Sequence, residues 1–145
     1  MTVKQYFESV RQAERELKLI RRQQEHALEL GTRLGGAGGE THIRSPGVRS
    51  PVETAGIRLA DLDSELQAEA ERYLALIAEA RSLIAKIPQE RFREVLTLRY
   101  ICGHSWRTVS DEMDYEGEKS VYKVHGWALQ AAEKIFSEMI PNDTK

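Results

Sequence analysis

Apolar residues recur seven apart from the beginning of the chain. Val3, Val10 and Leu17 make one row, and Tyr6, Ala13, Ile20 and Ala27 make a second, three residues further on. Two such rows form an a/d seam on one side of a helix, so the pattern predicts a single helix from residue 2 to about 30, with Gln24 as the polar exception at one a position. Thr2, with Gln5 three residues later, fits a reciprocal cap at its start. Gly31 ends the pattern. A second seam opens at Leu59: Leu59, Leu66, Tyr73, Ala80 and Ile87 in one row, and Leu62, Leu76 and Leu83 in another. Ala70, Ile77 and Ile84 widen this stripe, so the helix should meet more than one neighbour. Its simplest partner is the first helix, folded back antiparallel. Pro88 interrupts it, because the residue before a proline avoids the helical region. Pro88-Gln89-Glu90 suits the first turn of a third helix, which carries Phe92, Val95, Leu96, Leu98 and Ile101 up to Gly103.

From His104 to Ile135 the periodicity describes two more helices. Trp106, Val109 and Met113 give the first an apolar stripe, and Asp114-Tyr115-Glu116-Gly117-Glu118 interrupts it, with Gly117 expected to supply the backbone freedom of the turn. Val121, Val124, Ala128, Ala131 and Ile135 set the second stripe. Lys119, Ser120, Tyr122, Lys123 and His125 fall between those apolar positions, on or near the opposite face. A short helix, a turn and a longer helix with polar residues at its N-terminal end form a helix-turn-helix pattern. In that arrangement the early residues of the second helix meet base edges. Lys119 and Lys123 can donate to guanine or phosphate, and Ser120, Tyr122 and His125 can hydrogen-bond bases or backbone. Arg107 and Thr108, at the start of the preceding helix, suit phosphate contacts.

Residues 31–57 read as a loop, because the glycine run Gly35–Gly39 holds no regular structure and Pro46 and Pro51 bar helix. The doublet Arg44-Ser45-Pro46 and Arg49-Ser50-Pro51 suits a solvated linker or a basic arm for a minor groove. On the first helix, Arg11, Arg15, Lys18 and Arg22 alternate with glutamates. They read as a solvated face, with a phosphate- or polymerase-contacting surface as the alternative.

The chain has 145 residues, 30% of them charged and 7% aromatic, which suits a well-solvated helical protein of one or two small units. Net charge is −2. The proposed reading half, residues 88–140, holds seven Lys/Arg against nine Asp/Glu, which weakens any non-specific attraction to phosphate. Cys102 is the one cysteine, so no internal disulfide forms; it reads as a small buried apolar residue in a reducing cytosol. No apolar run long enough for a membrane span and no secretion signal occur, which predicts a cytoplasmic, nucleoid-associated protein. Catalysis is not indicated. The four histidines are scattered without zinc spacing, and Ser105 is better explained as a helix N-cap than as a nucleophile. The expectation is a protein that is not an enzyme and has no cofactor or metal.

The segment Leu96-Thr97-Leu98-Arg99-Tyr100, the turn and the aliphatic spacing Val121, Val124, Ala128, Leu129 resemble region 4 of sigma-70-type transcription factors. More closely, LRYICGHSW, MDY and VYKVHGWAL resemble a phage and prophage family with sigma region 4-like C-termini, near the RinA- and ArpU-type late-operon regulators. The resemblance is most specific over residues 92–136, with a looser likeness in the N-terminal half. It implies a reader of a −35-type promoter element. The turn is one residue longer than in housekeeping sigma factors, and Glu116-Gly117-Glu118 stands where that family has an arginine-rich start, which implies a different target sequence.

The resulting expectation is an all-α protein. A long, coiled-coil-like N-terminal helical hairpin spans 1–87 with a flexible loop at 31–57; a three-helix, sigma region 4-like helix-turn-helix domain spans 88–140; residues 141–145 form a tail. The expected function is sequence-specific regulation of a phage or prophage operon through double-stranded DNA. Host RNA polymerase is admitted as a second partner, and homo-oligomers through the N-terminal helices, without either being required. The alternative is a helical interaction or assembly module, such as a small terminase-like packaging subunit.

Overall fold

A computed structural model describes residues 1–36 and 50–139, and among these all regular structure is helical. The helices are α1 (Val3–Gly36), α2 (Pro51–Ala85), α3 (Glu90–Leu96), α4 (Trp106–Glu112) and α5 (Glu118–Met139). A five-residue π-helical turn, Thr97–Ile101, continues α3. Among the described residues no helix is long and apolar enough to cross a membrane. The chain divides into two compact units, residues 14–72 and residues 1–13 together with those from Tyr73 onward. The division falls within α1 and α2, whereas the sequence pattern suggested a boundary at residue 87.

In the unit of residues 14–72, α1 and α2 run antiparallel. Gly31 lies against Ala55, Gln24 meets Asp63 and Glu16 meets Arg72, so one number rises as the other falls. Ile20, Ala27 and Leu62 are buried between them, with Leu59 and Leu66 packed alongside. The polar exception in the seam is satisfied locally, because the Gln24 amide donates to Asp63 Oδ1 at 3.3 Å. Arg72 bridges Glu16 at 3.1 Å and Glu69 at 3.2 Å.

The helix ends correct the expected loop of 31–57. α1 continues through Gly36, and α2 begins at Pro51. Ser50 caps α2, its Oγ accepting from the Glu53 N–H at 3.1 Å. Pro51 occupies the first helical position, where no backbone donor is required. The residue read as a barrier to helix is therefore where the helix starts. The expectations for Ala37–Arg49, including most of the basic doublet, and for the tail lie outside the described residues.

The other unit holds the larger core. Val3, Tyr6, Phe7 and Val10 of α1 join Ala80, Leu83, Ile84 and Ile87 of α2. Val95, Leu96, Tyr100, Val109, Val121, Val124, Ala128, Ala132 and Phe136 complete it. Phe7, fully buried but on neither heptad row, stacks on Tyr100 with ring centroids 4.9 Å apart. Tyr6 lies against Phe136 at 5.2 Å. Thr2 and Gln5 form the reciprocal cap that the sequence indicated, with bonds of 2.8 and 3.2 Å. The Val3 N–H, left over at the start of α1, donates to Glu133 of α5 at 2.8 Å.

Two left-handed residues close the short helices. Gly103, at φ 72°, ends the π-helical turn, and the His104 N–H reaches back to the Leu98 carbonyl at 3.0 Å. Asp114, at φ 59°, ends α4, where the Tyr115 N–H bonds Ser110 O at 2.9 Å and the Asp114 N–H bonds Asp111 O at 3.2 Å. That pair of bonds is a Schellman closure. The turn into α5 thus takes its special conformation from Asp114 and not from Gly117. Cys102 is exposed, contrary to the buried position expected of it, because it caps the π-helical turn at the surface.

Candidate nucleic-acid interface

α4 is short and is held by both ends. Ser105 caps it, its Oγ accepting from the Thr108 N–H at 3.2 Å, in the role the sequence assigned. At the same end Trp106 is a spacer between elements. Its ring meets Tyr122 of α5 edge-on at 5.4 Å and His125 at 4.6 Å, and the Arg99 guanidinium lies 4.2 Å from its centroid on the side of the π-helical turn. Arg99 also donates to the His104 carbonyl at 3.0 Å, tying that turn to the α4 approach. Trp106 is half-buried rather than a full core residue. Val109, Val121 and Val124 close the apolar contact between α4 and α5.

The seven residues assigned to nucleic acid divide into two groups. Lys119, Ser120 and Lys123 are exposed on the first turns of α5, as is Arg107 on α4, and Tyr122 is 46% exposed. Among the described residues neither Lys119 nor Lys123 forms an ion pair, so their ammonium groups are available. The Tyr122 hydroxyl donates to Glu118 at 3.1 Å, and that hydrogen bond raises the phenol's pKa. Thr108 is half-buried, its hydroxyl 3.0 Å from Ser105 Oγ, so it serves the cap first. Glu116 and Glu118 are exposed beside Lys119 and oppose any phosphate there.

His125 does not belong to this surface. It is 9% exposed and its Nε2 lies 2.7 Å from the hydroxyl of the fully buried Tyr100. Burial, with the charges of Lys4 and Arg99 adding to it, pushes its pKa down to about 4. Burial and the carboxylate of Glu8 push the Tyr100 phenol up to about 12, so the phenol keeps its proton. In the tautomer protonated at Nδ1, the Tyr100 hydroxyl donates to Nε2. His125 follows Val124 and precedes Ala128 on the inner face of α5, one residue round from where its polarity alone had placed it. In the sequence Tyr100 stands out only as the end of the resembling segment Leu96-Thr97-Leu98-Arg99-Tyr100. A hydrogen bond between residues 25 apart leaves no periodic trace in sequence, and burial was the one signal that could have found it.

A further pairing ties α3 to the turn before α5. Arg91 donates through Nε to the Tyr115 hydroxyl at 2.9 Å and again through Nη2, with its guanidinium 5.3 Å from the ring centroid. The Ser110 hydroxyl holds the Tyr115 carbonyl at 3.2 Å. The turn is therefore anchored on both sides by side chains. Compared with family models, curated proteins and solved structures, the chain matches none.

Proposed function

We propose that this chain is a sequence-specific double-stranded-DNA-binding regulator of the phage or prophage operon type that its sequence resembles, with α4 and α5 as a helix-turn-helix and host RNA polymerase as a further partner. The observation that carries the reading is the face of α5: Lys119, Ser120 and Lys123 stand outward while Val121 and Val124 are buried beneath them. A recognition helix needs that combination, because base readout requires donors held on a rigid element. The local acidity of Glu116 and Glu118 limits non-specific affinity and leaves more of the binding to base contacts. Replacing Lys119 and Lys123 together by Ala should leave melting unchanged and lower the salt slope of duplex binding by roughly two if both meet phosphate; each lost base contact instead costs about 1–3 kcal/mol and relaxes preference. A wild-type chain that selects no preferred duplex from a random pool at low salt refutes the proposal.

One observation favours the alternative of an assembly module. Leu19, Leu28, Leu30, Val52 and Ile57 are exposed on the unit of residues 14–72. Oligomers in sedimentation, together with no duplex preference, would select that reading.

A further inference from the structure

Leu19, Gln23, His26 and Leu30 recur on α1 at intervals of four, three and four, which puts them on one line of the helix. That line lies about a quarter-turn from Ile20 and Ala27, which are buried against α2. All four are exposed, Leu19 at 55% and Leu30 at 39%. Gln23, His26 and Leu30 also line a groove of about 350 Å³ between α1 and α2. Ala27 and Leu62 form its floor, and Arg58 and Asp61 its far rim. Leu19 is the member of the line outside the groove. One face of the hairpin thus carries an apolar knob and, roughly 10 Å further along α1, an apolar hollow.

The hairpin of residues 14–72 is short of core. Its buried cluster consists of Ile20, Ala27 and Leu62, with Leu59 and Leu66 packed against it. Helices draw most of their stability from burying an apolar face against another layer, and two helices supply one layer only. The missing layer belongs on the side of Leu19 and Leu30. The opposite face holds a smaller hollow, about 230 Å³, and Asp63 on it already accepts from Gln24.

The make-up of this face selects its occupant. Arg58 and Asp61 stand together on the rim, so a polyanion meets a carboxylate there and a polycation meets a guanidinium. A partner with both signs of charge, a leucine knob and a hollow of its own fits, and a second copy of this chain has all three. We propose that residues 14–72 pair face to face with the same residues of a second copy, as a four-helix bundle. A two-fold axis across the helices puts each Leu19 into the other copy's groove, so that one contact is made twice. The axis then crosses α1 midway between knob and hollow, at Gln23. Two Gln23 amides meet there, each able to donate and accept, and a polar pair on such a seam fixes its register. The size agrees as well. About 22 residues in each helix give a face roughly 33 Å long and about 20 Å wide. That is roughly 660 Å² before side-chain relief is counted, close to the ~800 Å² that each partner gives to a stable interface.

The test uses the full chain with no DNA present. The wild type sediments as a dimer at micromolar concentration, and its melting temperature climbs with concentration. Leu19→Lys changes a position that is exposed in the single chain but puts a charge into the apolar hollow of the pair, so it dimerises at least about tenfold more weakly. Two further variants are made in a Cys102→Ser background, which removes the exposed native thiol. Gln23→Cys forms a disulfide-linked dimer under mild oxidation, because the two thiols meet at the axis. Gln67→Cys, on the opposite face, stays monomeric on a non-reducing gel. A wild-type monomer, a Leu19→Lys dimer as tight as that of the wild type, or faster cross-linking at Gln67 than at Gln23 overturns the pairing. None of these measurements involves α5, so its reading as a DNA-binding helix stands or falls separately, by the duplex selection.

Discussion

Lowering the pH should destabilise this protein through His125. The imidazole sits 9% exposed against the Tyr100 hydroxyl, and its folded pKa is about 4 against 6.5 for the free side chain. The native state therefore holds it neutral, while the unfolded chain takes up a proton as pH falls through 6.5. Stability is fully present above about pH 7, is lost between 6.5 and 4, and is flat with respect to this group below that. Proton linkage puts the loss at about 0.2 kcal/mol at pH 7 and about 1.4 kcal/mol at pH 5.5, approaching about 3.4 kcal/mol once both states are protonated. Urea titrations at pH 7.0 and 5.5 should thus differ by about 1.2 kcal/mol more in the wild type than in His125→Gln, which carries no titrating group. The subtraction removes whatever the other histidines contribute. A His125 Cε1 proton resonance that stays at its neutral position down to pH 5 would agree. Equal losses in wild type and variant, or a His125 midpoint above 6, would refute the argument.

Phe7→Ala should cost about 3–5 kcal/mol in the unit containing α3, α4 and α5, because it removes a fully buried ring stacked on Tyr100; a loss under about 1 kcal/mol by urea titration would detach α1's first turns from that core. Asp114→Gly should stabilise by up to about 1 kcal/mol, since glycine accepts the left-handed backbone of the α4 closure at no steric cost; a lower urea midpoint would mean that the Asp114 side chain supports the turn.

The seams of the two long helices were legible because burial repeats with the helix itself. Val3, Tyr6, Val10, Ala13, Ile20 and Ala27 are buried as their spacing required, and so are Leu62, Ala80, Leu83, Ile84 and Ile87. Caps were legible too, as at Thr2 and Ser105, because a cap is a local hydrogen bond between neighbours in sequence. What escaped was set by geometry beyond the repeat. Phe7 lies off the seam and is buried in a core whose other members come from distant parts of the chain, Tyr100 among them. Pro51 was misread because proline stops a helix from inside but starts one at its first position. In the candidate site, the outward lysines of α5 could be placed from the stripe beneath them. His125 could not, since it is a polar residue on the apolar face, and only the buried phenol opposite makes that position tolerable.

The contact between the Val3 N–H and Glu133, with Tyr6 against Phe136, joins residues 130 apart in the chain. On the ribosome this sets an order of events. At roughly 5–20 residues per second, the first turns of α1 would wait about 6–26 s for α5 to be made. The antiparallel contacts of residues 14–72 span far shorter separations, Gly31 to Ala55 and Glu16 to Arg72, and can zip while synthesis continues. The middle of α1 is thus able to find its partner long before its beginning does. Tyr6 meanwhile lacks the Phe136 ring that it meets in the folded chain, and the core of that unit closes only when α5 has been made.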